Sequence, residues 1–297
     1  MGYSIVIVDH HEWEEDPIPS GVIVVNNQMS PAYANKAGSG ATVTWQLMRA
    51  MNELFDLGDN MNDYLDIVAL GAIGDMMDCT TPENRFIFSY GLKNLKSEFL
   101  KTFIRKQCYP IFGIAAKDWN DGYYTNDKLT QTAISFYIVP FINALIRVGN
   151  ESEKELMFMA MSDIPSGKTH KEDRTDAEQS YRDCSNAKVH QDKFKNEAVE
   201  QLSIQIQNNC LEDNKILILN GDELDVPKTI TGLCAMGVAA KYKKPCLLGR
   251  TNDGYIKGSF RGREDSELKD LKKFLKESGF IDYALGRRLG GPKYLFH

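Results

Sequence analysis

The sequence predicts an α/β protein built from a parallel-sheet domain followed by a smaller α/β domain, and three observations carry that prediction. An unbroken apolar run, Ser4-Ile5-Val6-Ile7-Val8, opens the chain and has the character of a buried strand of a parallel sheet. Apolar runs of strand length then alternate with segments of helical period, the pattern of strands joined by crossover helices. Between the two halves, Asp163 to Lys195 is rich in Asp, Lys, Ser, Thr and Gln and nearly free of large aliphatic side chains, which marks a linker or exposed insertion. The expected organisation is a first domain over 1–162, the linker over 163–195 and a second domain over 196–297.

In the first domain, the opening strand is followed by a second over Val22 to Val25 and by a helix over Gly40 to Phe55, where Val43, Leu47, Met51 and Leu54 recur at helical spacing. A further apolar helix is expected over Asn62 to Met77, delivering Gly74-Asp75-Met76-Met77-Asp78 near its end. Helices are also expected over Glu83 to Leu95, Ser97 to Lys106, Leu129 to Tyr137 and Pro140 to Arg147. In the second domain, a helix runs through Gln207, Lys215 to Asn220 forms a strand, and Ile230 to Lys241 forms a helix. Pro245 to Leu248 and Tyr255 to Phe260 form two more strands, and Glu267 to Ser278 has the pattern of an amphipathic helix with Leu268, Leu271, Phe274 and Leu275 on one face.

Composition narrows the class. The 297 residues are 42% hydrophobic and 26% charged, ordinary for a globular protein with room for two domains. No apolar stretch approaches the roughly 18 residues of a membrane span, and Met1-Gly2-Tyr3 leads straight into a strand without space for a signal peptide. A cytoplasmic protein is expected. The six cysteines are scattered without a CxxC pair, consistent with reduced, mostly buried thiols. A net charge of -6 argues against an all-over basic nucleic-acid binder. From Lys241 onward, however, 14 Lys and Arg face 7 Asp and Glu, so a surface for a phosphate backbone belongs to that part, unless its lysines only solubilise a helix.

The most informative motif is Asp9-His10-His11 at the end of the first strand. Ligands of open α/β sheets gather beyond the carboxyl ends of strands. Imidazole and carboxylate both ligate Mn²⁺, and a second imidazole can contact an anion; the alternative is a polar turn at a strand end. Asp75, in an equally apolar setting, is costly to bury unpaired, and therefore holds a metal, caps a helix or pairs with a neighbour.

These landmarks, in their order, resemble the DHH phosphoesterases, and among them the RecJ-like single-strand-specific exonucleases with their DHH-associated second domain. The resemblance rests on strand-Asp9-His10-His11, on Ser39-Gly40-Ala41 opening a helix, and on Ala69-Leu70-Gly71-Ala72-Ile73-Gly74-Asp75 followed by Glu83-Asn84-Arg85. Pro140-x-x-Asn143-Ala144-x-x-Arg147, Thr231-Gly232-Leu233-Cys234-Ala235 and Gly258-Ser259-Phe260-Arg261 complete it. The last is similar to the family's substrate-contacting Gly-Ser-Gly-Arg turn; a Gly/Ser turn beside an arginine presents donors to a phosphate, and is otherwise a plain hairpin turn.

The resemblance implies that His10 and Asp75 are metal ligands, that His11 contacts the scissile phosphate and that Asp9 orients the site from behind. It further implies that Asn143 and Arg147 face the nucleotide backbone, with Gly258, Ser259 and Arg261 holding the strand farther out. The implied reaction is metal-dependent hydrolysis of single-stranded DNA from the 5′ end, with Mn²⁺ or Mg²⁺ as a two-ion cofactor.

Two features depart from the family. Its Asp-x-Asp motif and a further aspartate precede the Asp-His-His strand, whereas only eight residues precede Asp9. The chain is therefore expected to be an N-terminally truncated form, inactive in isolation, with an exposed sheet edge or face that needs the missing segment or a partner chain. Near the end, where the family has a Gly-His pair, the chain reads Gly286-Arg287-Arg288-Leu289-Gly290-Gly291. Alternatives to the exonuclease are a DHH phosphoesterase of short oligonucleotides or cyclic dinucleotides, and a non-catalytic RecJ-like module that binds single strands.

Overall fold

The structure, a computed structural model, describes residues 5–13, 17–108, 119–120, 123–124, 129–252, 255–262 and 277. The expected helix over Glu267 to Ser278 and the Gly286 to His297 tail lie outside the described residues, Glu277 apart. The chain forms two compact units, Met1–Asn186 and Ala187–His297.

The first unit begins with β1 (Ile5–Asp9) and β2 (Val22–Asn26), paired in parallel with Asp9 opposite Asn26. Helix α1 (Gly40–Phe55) starts where Ser39 accepts a hydrogen bond from the Thr42 N–H and stops at Asp56, whose φ of 49° is left-handed. A 3₁₀ turn at Met61–Tyr64 leads into α2 (Leu65–Gly74). Leu65, Val68, Ala69, Leu70, Ala72 and Ile73 are all buried, so α2 is apolar all round, as a core helix must be.

Around it stand α3 (Pro82–Gly91), α4 (Glu98–Phe103) continuing as a π-helical turn over Ile104–Cys108, α5 (Gln131–Tyr137), α6 (Val139–Val148) and α7 (Glu151–Met161). A short antiparallel pair, β3 (Trp119–Asn120) and β4 (Tyr123–Tyr124), precedes α5. Phe88, Phe99, Phe103, Ile104, Ile134, Ile138 and Leu145 fill the core. Asp66, 1% exposed, accepts the N–H groups of Ile67, Lys96 and Ser97 and so anchors the start of α4; burial nevertheless pushes its carboxyl above the usual range.

Several sequence expectations change here. The opening strand is parallel as expected but not buried: Ile5, Val6 and Ile7 are 52%, 54% and 45% exposed and Ile23 opposite is 58% exposed. Burial of a central strand requires neighbours on both edges and layers on both faces, and among the described residues β1 and β2 form a sheet of two. Met51 and Leu54, expected to share the apolar face of α1, are likewise exposed, while Val43 and Trp45 nearer its start are buried. The window Gln131–Val148 has a mean hydropathy of 1.3 and meets the length and apolarity of a membrane span, contrary to the sequence reading; it folds as the two helices α5 and α6, interrupted at Ile138 ahead of Pro140.

The stretch read as a linker or insertion holds an ordered helix, α8 (Asp176–Asn208). Its buried positions include Ala177, Ser180, Cys184, Ala187, Gln191, Ala198, Leu202 and Ile206, a helical stripe of mostly small side chains that a search for large aliphatics passes over. The division between the two units falls inside α8.

In the second unit, β5 (Leu217–Asn220) pairs in parallel with β6 (Cys246–Asn252), which pairs antiparallel with β7 (Tyr255–Arg261). Helix α9 (Thr231–Tyr242) connects β5 to β6. Leu217, Leu219, Cys234, Ala235, Val238, Cys246 and Leu248 make the core, and Ile218 points outward at 67% exposure. A Cβ on Gly237 would come within 2.7 Å of Val199, so this glycine sets the close packing of α9 on α8. Of the cysteines, Cys108, Cys184, Cys234 and Cys246 are buried and all six are free thiols.

Candidate metal centre

The centre grows from the carboxyl end of β1. Asp9 closes the strand, and its Oδ1 accepts the His10 N–H at 2.7 Å and the His11 N–H at 3.4 Å and meets His11 Nδ1 at 2.7 Å. Burial pushes the Asp9 carboxyl up, but the His11 side chain and the two backbone donors outweigh it and hold the group below the usual carboxylate range. The two imidazoles lie 4.4 Å apart, tilted by 47°. His11 is largely exposed, with 77% of its side chain accessible.

His10 turns the other way. Its Nε2 lies 3.1 Å from Asp75 Oδ2, with side-chain exposures of 15% and 33%. Asp75 is the residue after α2, where its N–H still bonds to the Gly71 carbonyl and the next residue, Met76, has a left-handed φ of 55° that turns the chain away. A glycine permits the meeting. A Cβ on Gly71 would sit 2.8 Å from the Ala41 Cβ, so only glycine allows α2 to cross so near the start of α1, and a Cβ on the neighbouring Gly40 would lie 3.6 Å from His10 Cδ2, in ordinary contact.

The donor set fits a divalent cation. Ligand atoms of Asp9, His10 and His11 lie within 4.8 Å of one another, and Asp75 adds a second carboxylate beside His10. Imidazole with carboxylate suits Mn²⁺ and, less strongly, Mg²⁺. This donor set could serve one ion; two adjacent dications ordinarily require further carboxylates.

Asn143 and Arg147 lie one helical turn apart on α6, both half-buried. The first residue of α6, Val139, packs where a Cβ on Gly74 would be 3.6 Å away, which places the start of this helix at the end of α2 that carries Asp75. In the second unit, Gly258, Ser259 and Arg261 lie within strand β7, not in the turn expected from sequence. Gly258 faces Gly249 across the hairpin, and a Cβ there would come within 2.3 Å of the Leu248 carbonyl oxygen; the glycine serves close strand approach. The Arg261 guanidinium and the Ser259 hydroxyl nonetheless converge beside Gly232 in the first turn of α9, 2.5 Å and 3.2 Å from the position a Cβ would take there. That cluster suits an anion, since helix N-termini and arginine both favour phosphate.

Sequence reasoning missed the residues behind the histidines. Asn26 donates to the His11 carbonyl at 3.0 Å and Gln28 to the His10 carbonyl at 3.2 Å. Only their position at and just past the end of the strand paired with β1 could have signalled them.

No protein-family model matches the chain. It is 32% identical over 296 residues, 96% of its length, to YorK of Bacillus subtilis, a prophage-derived protein that carries the name of a single-strand DNA-specific exonuclease. It is 23% identical over 281 residues to the single-stranded-DNA-specific exonuclease RecJ of Dickeya dadantii. The chain spans 48% and 45% of these relatives, about half their length. Among solved structures, RecJ of Thermus thermophilus in complex with Mn²⁺ superposes with a TM-score of 0.66 at 19% identity, covering 93% of this chain and 36% of that one. A second RecJ structure, bound to manganese, gives 0.58 at 18% identity over 92% of this chain and 60% of that one. The chain thus has a RecJ-like α/β fold and RecJ-like sequence over nearly its whole length.

Proposed function

We propose, from that RecJ-like fold and sequence as premise, that the chain is the nuclease-bearing portion of a metal-dependent exonuclease acting on single-stranded DNA in the cytoplasm. The observation that carries this reading is the approach of His10 to Asp75 at 3.1 Å beside Asp9 and His11: three consecutive potential ligands and a fourth from a distant part of the sequence meet at the end of a parallel strand pair. His10 and Asp75 would hold the ion, Mn²⁺ or Mg²⁺. When bound, such an ion supplies Lewis acidity toward a phosphodiester and lowers the pKa of a bound water. Asp9 fixes the His11 ring through Nδ1, leaving Nε2 of this exposed side chain to meet a phosphate oxygen. Asn143 and Arg147 contact the backbone of the strand being cut. Ser259 and Arg261, with Gly258 admitting the hairpin, grip a phosphate at the start of α9.

Activity requires more than this ligand set. The exposed Ile5, Val6, Ile7 and Ile23 support completion of the sheet by further strands, from an additional N-terminal segment or a partner chain, which bring the carboxylates of a second ion. The isolated 297-residue chain is accordingly inactive or nearly so.

The test is a Mn²⁺ titration of the purified chain followed by incubation with 5′-labelled single-stranded DNA, with His10→Ala in parallel. Metal binding that His10→Ala abolishes, together with nucleotide release only when the missing strands are supplied, is the expected result. Release by the chain alone would overturn its inactivity but keep the nuclease. Absence of metal binding and cleavage in both settings would refute the nuclease reading and leave a module that binds single strands.

A further inference from the structure

Behind the candidate centre runs a continuous set of hydrogen bonds that no metal-ligand motif accounts for. It begins at the His10 carbonyl, which accepts from Gln28 Nε2 at 3.2 Å. The same nitrogen donates to the Lys36 carbonyl at 2.7 Å. The next carbonyl along, that of Ala37, accepts at 2.9 Å from Asn84 Nδ2, which also donates to the Asp78 carbonyl at 2.7 Å. Asn84 Oδ1 is taken by Asn35 Nδ2 at 3.1 Å, so this side chain, 0% exposed, has both its donor and its acceptor ends engaged. Asn35 Oδ1 in turn receives the Ala37 N–H at 3.1 Å. The relay thus starts on the backbone of one proposed ligand and ends three residues beyond the other.

The geometry points to Asn84, with Gln28 as its counterpart, as positioning residues that set the separation of His10 and Asp75 and so tune the affinity of the centre for a divalent cation. This inference rests on the metal reading above and adds to it a device that acts without touching the ion. His10 directly follows a strand with little cover, and Asp75 directly follows a core helix. A backbone-to-backbone tether through the 35–37 segment links the two: its Asn84 end is buried or half-buried, where losing a bond leaves a poorly solvated carbonyl unpaired, while the Gln28 to Lys36 link lies at the surface and contributes less. Outer partners of this kind commonly change metal affinity by about tenfold to a hundredfold.

The experiment uses the full chain and Mn²⁺ as the probe, read by paramagnetic broadening of the His10 and His11 ring resonances, with Asn84→Ala, Gln28→Met and, as control, Asp66→Asn. Asp66 is buried and bonded to backbone N–H groups but stands outside the relay, so it reports general destabilisation alone. The expected result is Mn²⁺ binding weakened about tenfold to a hundredfold in Asn84→Ala and in the milder, half-exposed Gln28→Met, and unchanged in Asp66→Asn despite a comparable loss in melting temperature. Folded variants that bind Mn²⁺ as tightly as the wild type would overturn the positioning role and leave the metal reading intact. If the wild type itself shows no broadening, the metal reading fails, and the relay is judged without metal: the His10 ring resonance shifts on Asp75→Asn in the wild type, and a shift of equal size in the Asn84→Ala background would refute it.

Discussion

His10 Nε2 stands 3.1 Å from Asp75 Oδ2, and this single pair joins the end of β1 to the end of α2. Each partner depends on the other to complete a ligand set, since Asp9 and His11 already engage each other through the Asp9 carboxylate. Asp75→Asn keeps the shape of the side chain and removes the negative charge. Mn²⁺ affinity measured by calorimetry is expected to fall by more than the roughly hundredfold ceiling typical of outer partners; a change under tenfold would remove Asp75 from the ligand set.

The crossing of α1 and α2 at Gly71 is the second place where the centre is exposed to mutation. Gly71→Val puts side-chain atoms where even a Cβ would be 2.8 Å from Ala41, at an expected cost of about 1–3 kcal/mol from overpacking. Urea unfolding reads that loss, and Ala41→Gly in the same chain restores part of it. Failure of the second substitution to restore anything would mean that the two helices do not press on each other here.

Asp176 makes stability depend on acid. Burial raises its carboxyl, but the hydroxyl and N–H of Ser166 and the ring of His170 hold it below the usual range, with distances of 2.6, 2.8 and 2.6 Å. A carboxyl whose folded pKa is depressed contributes stability that is complete above its unfolded value, about 3.9, and is lost as the pH falls through the folded one. Melting curves of Asp176→Asn and wild type are expected to differ by a constant amount at neutral pH and to converge below about pH 4. A gap that persists to pH 2 contradicts the assignment.

Under the proposed function, Ser259 and Arg261 would make the binding of DNA by the second unit sensitive to salt. Under the proposed function, Arg261→Ala weakens binding of single-stranded DNA and lowers the slope of log affinity against log salt by about 0.7, the share of one phosphate contact. Fluorescence anisotropy across a salt series decides it, and an unaltered slope would exclude Arg261 from phosphate contact.

How much of this was legible beforehand differs by element. The limits of α1 were legible because Ser39 is a strong cap and the apolar period begins directly after it. The convergence of His10 with Asp75 followed from the family resemblance, not from spacing, which is silent about residues so far apart. The exposure of β1 was not readable, because burial belongs to what lies across from a strand and not to the strand. The end of α8 near Gln207 is legible as a helix, but its first half is hidden because Ala177, Ser180, Cys184 and Ala187 pack closely with little apolar bulk. Gly258 reads as a turn residue because a glycine that lets two strands approach and one that lets a chain reverse look the same in sequence.

The poor cover of β1 also bears on the order in which parts of the molecule open. Ile5 and Val6 present more than half their surface to solvent, whereas Leu65 and Ala69 of α2 present none, so backbone amides of the strand should exchange with deuterium through small local fluctuations, and those of the helix only through much rarer, larger ones. A cation clasped by His10 and Asp75 would tie the fast-exchanging segment to the slow one and, by mass action, lower the frequency of its fluctuations in proportion to occupancy. The centre would then act as a clasp for the least protected strand as well as a place for chemistry, so that metal depletion first appears as local loosening of β1 rather than as loss of the fold.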